Sequence, residues 1–214
     1  AITTYDELLK GDLDPDTRNR IILRTALLRP GRNALAKAAT DWDITLKNQA
    51  AIILALQNQQ KKALDLYQVT GEGTKRFQQE VRLSEWALEV KLYDKAQQFA
   101  WAAVRSAKMR RDRRYALAML VSAYRLDDAI DELISLFEQT QDLDDESRLT
   151  WIDLLRETGK VDDALRLFRE AAGETTFTND MRRQLLELCR EADREQTLVE
   201  AYRQLIKEQP RTIE

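Results

Sequence analysis

The sequence predicts an all-α protein, and three observations lead to that fold class. Six Gly and three Pro among 214 residues are too few for a turn-dense β-sandwich. A hydrophobic content of 43% allows a sizeable core and argues against disorder, while 33% of the residues are charged. A short apolar phrase also recurs along the chain at a spacing near 34 residues. Together these features favour a repeat of amphipathic helices.

The clearest repeat unit runs from Trp151 to Ala171. It reads as one amphipathic helix, a turn at Gly159, and a second helix with Ala164 and Phe168 one turn apart on the same face. The second-helix phrase recurs at intervals of 33, 33, 35 and 34 residues, with a weaker copy upstream at Ala34. The anchors are Ala63, Ala96, Ala129, Ala164 and Leu198.

Each predicted element follows from the local sequence. Thr4 and Glu7 form a capping box that starts a short helix to Lys10, and Asp14 followed by Pro15 is typical of an N-cap and a first helical position. The first helices of the repeats are predicted over 15–28, 45–57, 75–91, 110–124, 145–158 and 179–192. The second helices are predicted over 33–42, 60–69, 94–107, 127–140, 161–172 and 195–208. The segments 71–73 and 173–176 are predicted to be loops between repeats.

This pattern resembles the tetratricopeptide repeat (TPR) over about residues 15–209. The resemblance rests on the period, the recurring small residue, the large residue one turn later at Tyr67, Phe168 and Tyr202, and Pro210 at a repeat end. Ala100 and Leu133 depart from it by replacing the aromatic residue. The resemblance implies a right-handed α-solenoid of about six repeats, forming a single domain over 1–214 and a fragment of a longer protein. The implied repeats are 15–44, 45–74, 75–109, 110–144, 145–178 and 179–209.

The resemblance also implies that first helices line a concave groove that grips a partner protein. Ten polar or charged residues are the candidates for that groove. The alternative is that these are ordinary solvated helix faces with pairs such as Arg183 and Glu187 four residues apart. The candidates are Asn48, Glu85, Glu89, Arg111, Arg114, Asp153, Arg156, Arg183, Glu187 and Arg190.

Charge is segregated along the chain. Residues 105–114 carry six basic residues and one acid, a run that could bind phosphates or an acidic partner. Residues 126–147 are acidic and could contact a cationic sugar polymer. The alternative is that the two blocks pair with each other or are simply solvated. The acidic surface candidates are Asp127, Asp128, Asp131, Glu132, Asp142, Asp144, Asp145 and Glu146.

Composition argues against several kinds of chemistry. The chain has no His and one cysteine, Cys189, so the usual general base, metal ligands and disulfides are missing. We therefore expect no enzyme activity, no metal and no cofactor. A net charge of −3 argues against nucleic-acid binding, and no apolar run is long enough to span a membrane. Trp86, Trp101, Trp151 and Cys189 are predicted to be core residues.

The predicted function is that of a non-catalytic scaffold for protein–protein interaction. The chain as a whole looks similar to the periplasmic TPR scaffolds of bacterial exopolysaccharide (biofilm) export porins of the Pel type. That resemblance implies a polysaccharide deacetylase or hydrolase as the partner and a periplasmic location as part of an outer-membrane protein, with the cytoplasm as the alternative. The alternative functions are the helical effector arm of a signalling or transcription regulator and a pentatricopeptide-like RNA binder.

Overall fold

The computed structural model describes residues 7–28, 34–174, 179–191 and 203. Within these ranges every regular element is a helix, so the predicted all-α fold class is confirmed. The helices follow one another in pairs, and within each of the two units described below helices that are adjacent in the chain pack against each other. The predictions for Leu198, Tyr202, Pro210, the helix over 195–208 and the cap at Thr4 lie outside the described residues.

The first helices of the pairs are α1 (Pro15–Leu28), α3 (Ile44–Leu56), α5 (Gly73–Glu89), α7 (Arg110–Leu126), α9 (Asp145–Glu157) and α11 (Asn179–Glu191). The second helices are α2 (Ala34–Ala38, continued by a 3-10 turn over Ala39–Asp41), α4 (Gln60–Leu66), α6 (Tyr93–Ser106), α8 (Ile130–Gln139) and α10 (Val161–Glu174). These bounds agree with the predicted first helices to within about two residues, and with the predicted second helices less closely.

The chain divides into two compact units, Ala1–Asp127 and Asp128–Glu214. The first contains α1 to α7, and the second contains α8 to α11. Each unit is described below by itself. A single solenoid over the whole chain, its right-handed twist and its repeat boundaries stay predictions.

The core of the first unit is built from small residues that let helices approach and large residues that fill the space beside them. Ala63 and Ala96, the recurring small residues of α4 and α6, are fully buried. Tyr67 packs edge-on against Trp86, with ring centroids 5.6 Å apart. The hydroxyl of Ser84, also fully buried, donates to the carbonyl oxygen of Ala96 at 2.9 Å and joins α5 to α6.

The core of the second unit also combines a buried small residue with large side chains, but the large residues differ. Ala164 is fully buried, and Phe168 one turn later is 1% exposed. Leu133 is fully buried at the position where the repeat pattern expects an aromatic side chain. Phe137 stacks on half-buried Trp151 at a centroid distance of 6.4 Å. Other described core residues of this unit include Ile134, Leu149, Ile152, Leu155, Leu165, Leu188 and Cys189.

Two predicted boundaries of second helices were wrong for local reasons. Helix α4 ends at Leu66 rather than residue 69, because Tyr67 takes an extended conformation and places its ring against Trp86. Helix α8 begins at Ile130 rather than 127, because Asp128 adopts a φ of 57° and turns the chain. Ala129 is consequently the N-cap residue that precedes α8, and it is only half-buried.

The predicted loop over residues 71–73 was also too long. Gly73 already belongs to α5, and its φ of 54° lies in the left-handed region that glycine adopts without strain. The Asp14–Pro15 start of α1 is confirmed, because an Asp14 carboxylate oxygen accepts from the Thr17 amide at 2.9 Å.

Candidate binding surfaces

Asn48, a predicted groove residue, fastens the end of α4 to α3. Its Nδ2 donates to the Gln68 carbonyl oxygen at 2.8 Å, and its Oδ1 accepts from the Gln68 amide at 2.9 Å. Both halves of the amide side chain are therefore used within the fold, and the exposed backbone after α4 is held beside α3.

Glu85 and Glu89 are exposed on α5 and contact side chains of the neighbouring pairs. The Tyr115 hydroxyl donates to Glu85 Oε1 at 2.9 Å, and this hydrogen bond and the carboxylate charge raise the pKa of Tyr115. The amide of Gln60 donates to Glu89 Oε2 at 2.6 Å. These contacts join residues 29 and 30 positions apart, so α5 is bonded on its exposed side to the pair before it and the pair after it.

In the second unit the structure brings four polar side chains of α9 and α11 together. Gln184 Nε2 donates to Asp153 Oδ2 at 2.9 Å. Arg156 Nη1 lies 3.6 Å from Glu187 Oε2 and 3.9 Å from Asp153 Oδ1. Burial raises the pKa of Asp153, helped by the nearby carboxylates Glu157 and Glu187 and opposed by Arg156. Arg183 and Arg190, also predicted for the groove, are exposed on α11.

The residues of the predicted acidic surface differ in their contacts and in their exposure. Asp127 ends α7 in the first unit and accepts from Gln97 Nε2 at 2.9 Å. In the second unit Asp131 pairs with Lys160 at 2.6 Å, and Asp144 caps α9 by accepting from the Ser147 amide at 3.1 Å. The remaining predicted residues differ in exposure: Asp128, Glu132 and Asp142 are exposed, Asp145 is half-buried and Glu146 is buried.

The basic run of residues 105–114 is divided by the structure between a cavity and open surface. Arg105, Lys108 and Arg113 line a cavity of about 860 Å³ where α6 ends and α5 and α7 begin. Arg111 and Arg114, the two members predicted for the groove, are exposed on α7 and are not part of that lining. The sequence predicted the charge of this run but not the cavity.

An apolar cleft of about 430 Å³ lies between α1 and α3 in the first unit. Leu27 and Leu56 stand at its wall with 55% and 73% of their surfaces exposed, and Ile52 is half-buried beside them. Arg20 and Arg24 line the same cleft. Sequence analysis did not single out Leu27, Leu56, Arg20 or Arg24, although the four-residue spacing of Ile52 and Leu56 was a readable signal for one apolar helix face.

Among the described residues no group of three or more His, Cys, Asp and Glu side chains is placed to hold a metal ion. In the same part of the chain, no helix combines the length and apolarity needed to cross a membrane. Cys189 is 1% exposed, as predicted for a core residue. Trp42 and Trp86 are buried, whereas Trp101 and Trp151 are half-buried.

These features define an all-α protein of paired, repeating helices with charged and apolar surface on its first helices. No family model matches the chain, and no curated protein matches it. Among solved structures, the fold is similar to that of YrrB, described as a TPR protein with an unusual peptide-binding site. The two sequences are 16% identical, the match covers 85% of this chain and 95% of YrrB, and the TM-score is 0.41.

Proposed function

We propose that this protein is a non-catalytic scaffold that binds another protein, and that the cleft between α1 and α3 receives an apolar segment of it. The observation that carries the proposal is the exposure of Leu27 and Leu56 around one cleft. Single exposed apolar side chains are ordinary, but several around a shared concavity mark interaction surfaces.

The charges beside the cleft specify the chemistry of the bound segment. Arg20 and Arg24 lie on α1 and line the cleft together with the leucines. Arg20 is held by Asp16, with 2.9 Å between Nε and Oδ2, so Arg24 is the better placed to pair with an incoming carboxylate. The segment that fits is amphipathic, with apolar side chains flanked by Glu or Asp.

Two synthetic helical peptides with the same leucine positions test this choice, one carrying Glu and the other Lys at the remaining positions. The Glu peptide should bind the full chain saturably, and the Lys peptide should bind at least roughly tenfold more weakly. Leu56→Glu should abolish binding. Leu126→Glu is the matched control, because Leu126 is 60% exposed on α7 and is not part of the cleft lining.

Three results would contradict the proposal. They are no saturable binding of the Glu peptide, equal binding of both peptides, and equal loss of binding in the Leu56→Glu and Leu126→Glu variants. Circular dichroism of both variants checks that each retains its helices.

Each unit also carries charged residues on a first helix, and in either unit such residues would speed association of a charged partner. Arg111 and Arg114 are exposed on α7, and Arg183, Glu187 and Arg190 are exposed on α11. Exposed charges steer a partner over a screening length of about 8 Å at physiological salt, so the association rate should fall as salt is added.

The resemblance to scaffolds of exopolysaccharide export supports a polysaccharide deacetylase or hydrolase as the partner. The test is interferometry with such an enzyme and the full chain, using the double reversal Arg111→Glu/Arg114→Glu. Weaker binding of the variant at low salt supports this partner, and unchanged binding removes these two residues from the interface.

A further inference from the structure

The cavity at the start of α5 has more positive than negative charge in its lining. It is about 860 Å³ in volume, large enough for a small organic ligand. Four cations line it, namely Arg76, Arg105, Lys108 and Arg113, against two acids, Glu72 and Glu80. The lining therefore carries a formal excess of two positive charges.

The buried acid in this lining is already engaged inside the fold. Glu80 is 3% exposed, and its Oε1 accepts from Arg76 Nε at 2.8 Å. Its Oε2 accepts from the hydroxyl of Ser106 on α6. The hydrogen bond and charge of Glu80 raise the pKa of the Arg76 guanidinium, so this pair is satisfied internally. Arg105 and Lys108 are exposed at the mouth and are left to face the cavity.

The side chain of Lys108 lies at a helix end where a positive charge is unfavourable, unlike those of Arg105 and Arg113. Arg105 lies in the last turn of α6, where a cation is favourable, and Arg113 Nη2 donates to the Ala107 carbonyl oxygen at 2.7 Å. Lys108, in contrast, lies over the start of α5: a Cβ built on Gly73 would be 3.4 Å from its Nζ. The amino end of a helix is itself positive, and Glu72 provides no side-chain cap there.

We propose that this cavity binds the phosphoryl group of a small ligand, held by Arg105, Lys108 and Arg113 beside the start of α5. A phosphate monoester carries a charge of about −1.5 to −2 at neutral pH, which matches the excess charge of the lining. Its oxygens accept hydrogen bonds from guanidinium and ammonium donors, which Arg105, Arg113 and Lys108 supply in the lining. The ligand is either free inorganic phosphate or a phosphate ester, and the cavity is large enough for both.

Calorimetric titration of the full chain with inorganic phosphate and with phenyl phosphate, at constant ionic strength set with sodium chloride, tests the proposal. If the cavity binds a phosphoryl group, both probes should bind saturably. The probe that binds more tightly shows whether the ligand is free phosphate or a phosphate ester. Arg105→Ala/Lys108→Ala should weaken binding at least tenfold. Arg110→Ala/Arg111→Ala is the matched control, since it removes the same charge from the same basic run outside the cavity lining and should leave binding unchanged.

Two outcomes would overturn the proposal: no saturable binding of either probe, or equal weakening by the two double variants, which would show general charge attraction. The single reversal Lys108→Glu gives a second measure, because Lys108 is exposed and its replacement leaves the core intact. Loss of phosphate binding in that variant with an unchanged circular-dichroism melt supports the site. The test is independent of peptide binding at the α1–α3 cleft.

Discussion

At the scale of single residues, the recurring alanines decide how closely the helices of a pair approach. Ala63, Ala96 and Ala164 are all fully buried, which is why a small residue recurs at a fixed spacing in the sequence. The large partner is less constrained, because Tyr67, Leu133 and Phe168 fill equivalent spaces with different shapes. Sequence could therefore predict the buried positions of these three alanines, but it could not predict the half-buried N-cap position of Ala129 or the packing around the alanines.

Ala96→Leu should destabilise the first unit by about 1–3 kcal/mol, because three extra carbons have no space between α5 and α6. The Ser84 hydroxyl bond to the Ala96 carbonyl oxygen would be strained as well. Ala118→Leu is the control, since Ala118 is exposed on α7 and the change should stay within about 0.5 kcal/mol. Urea denaturation of the three proteins measures both effects, and equal midpoints would contradict the close approach.

Asp153 should make the stability of the chain depend on pH. Burial raises its pKa above 3.8 in the folded state, so the folded state binds the proton more tightly than the unfolded state does. Its contribution therefore favours folding below 3.8 and is lost as pH rises through the higher folded pKa. Asp153→Asn, which keeps an acceptor for Gln184, should be more stable than the parent at neutral pH, and the difference should shrink as the pH falls and be smallest below pH 3.8.

Urea midpoints of the parent and Asp153→Asn across the acid range provide the measurement. Glu132→Gln serves as the control because Glu132 is exposed in the same unit. A difference between parent and Asp153→Asn that stays constant with pH would contradict the raised pKa.

At the scale of elements, the turns within helix pairs share one backbone geometry despite different residues. Asn58, Lys91, Asp128 and Gly159 follow the ends of α3, α5, α7 and α9, and all have φ between 57° and 75°. After α3, α5 and α9 the next residue donates back to a carbonyl five positions earlier at 2.8–2.9 Å, as in a Schellman cap. Sequence analysis identified this turn only at Gly159. Asn58 and Asp128 belong to residue types that adopt the left-handed conformation more readily than most, whereas Lys91 gives no such sign.

Gly159→Ala should cost about 1 kcal/mol, because the left-handed conformation is unfavourable for a residue with a Cβ. Apart from the two residues adjacent to Gly159 in the chain, no residue has a heavy atom within 4 Å of a Cβ built there, so the cost should be purely conformational. Lys91→Gly should stabilise by about 0.5 kcal/mol, since relief of that strain exceeds the entropy cost of glycine. Thermal melts of both variants measure the changes, and a stabilising Gly159→Ala would contradict the turn assignment.

At the scale of the whole molecule, the fold class and the order of helices could be predicted because they depend on patterns within about 40 residues. The apolar cleft and the cationic cavity could not. The cleft depends on Leu27 and Leu56 remaining uncovered, and the cavity depends on Gly73 and Lys108 meeting although 35 positions separate them. Contacts between residues so far apart in the chain are determined by tertiary packing rather than by local sequence.

A fragment of residues 1–127 should fold alone, because the buried cluster that spans Leu23 to Ala123 lies entirely within it. Circular dichroism should show a cooperative helical melt. If the two units continue one solenoid, as the sequence predicts, the fragment should be less stable than the same region in the full chain, since it lacks a neighbouring interface. A fragment without cooperative melting would contradict its independence.

Cys189 makes local opening of the second unit directly measurable. It is the single cysteine of the sequence and 1% exposed on α11, so a thiol reagent reaches it only after that helix opens. At low reagent concentration the labelling rate gives the equilibrium constant for opening. At high concentration it levels off at the opening rate itself. One natural side chain thus separates the population of the open state from the barrier that leads to it.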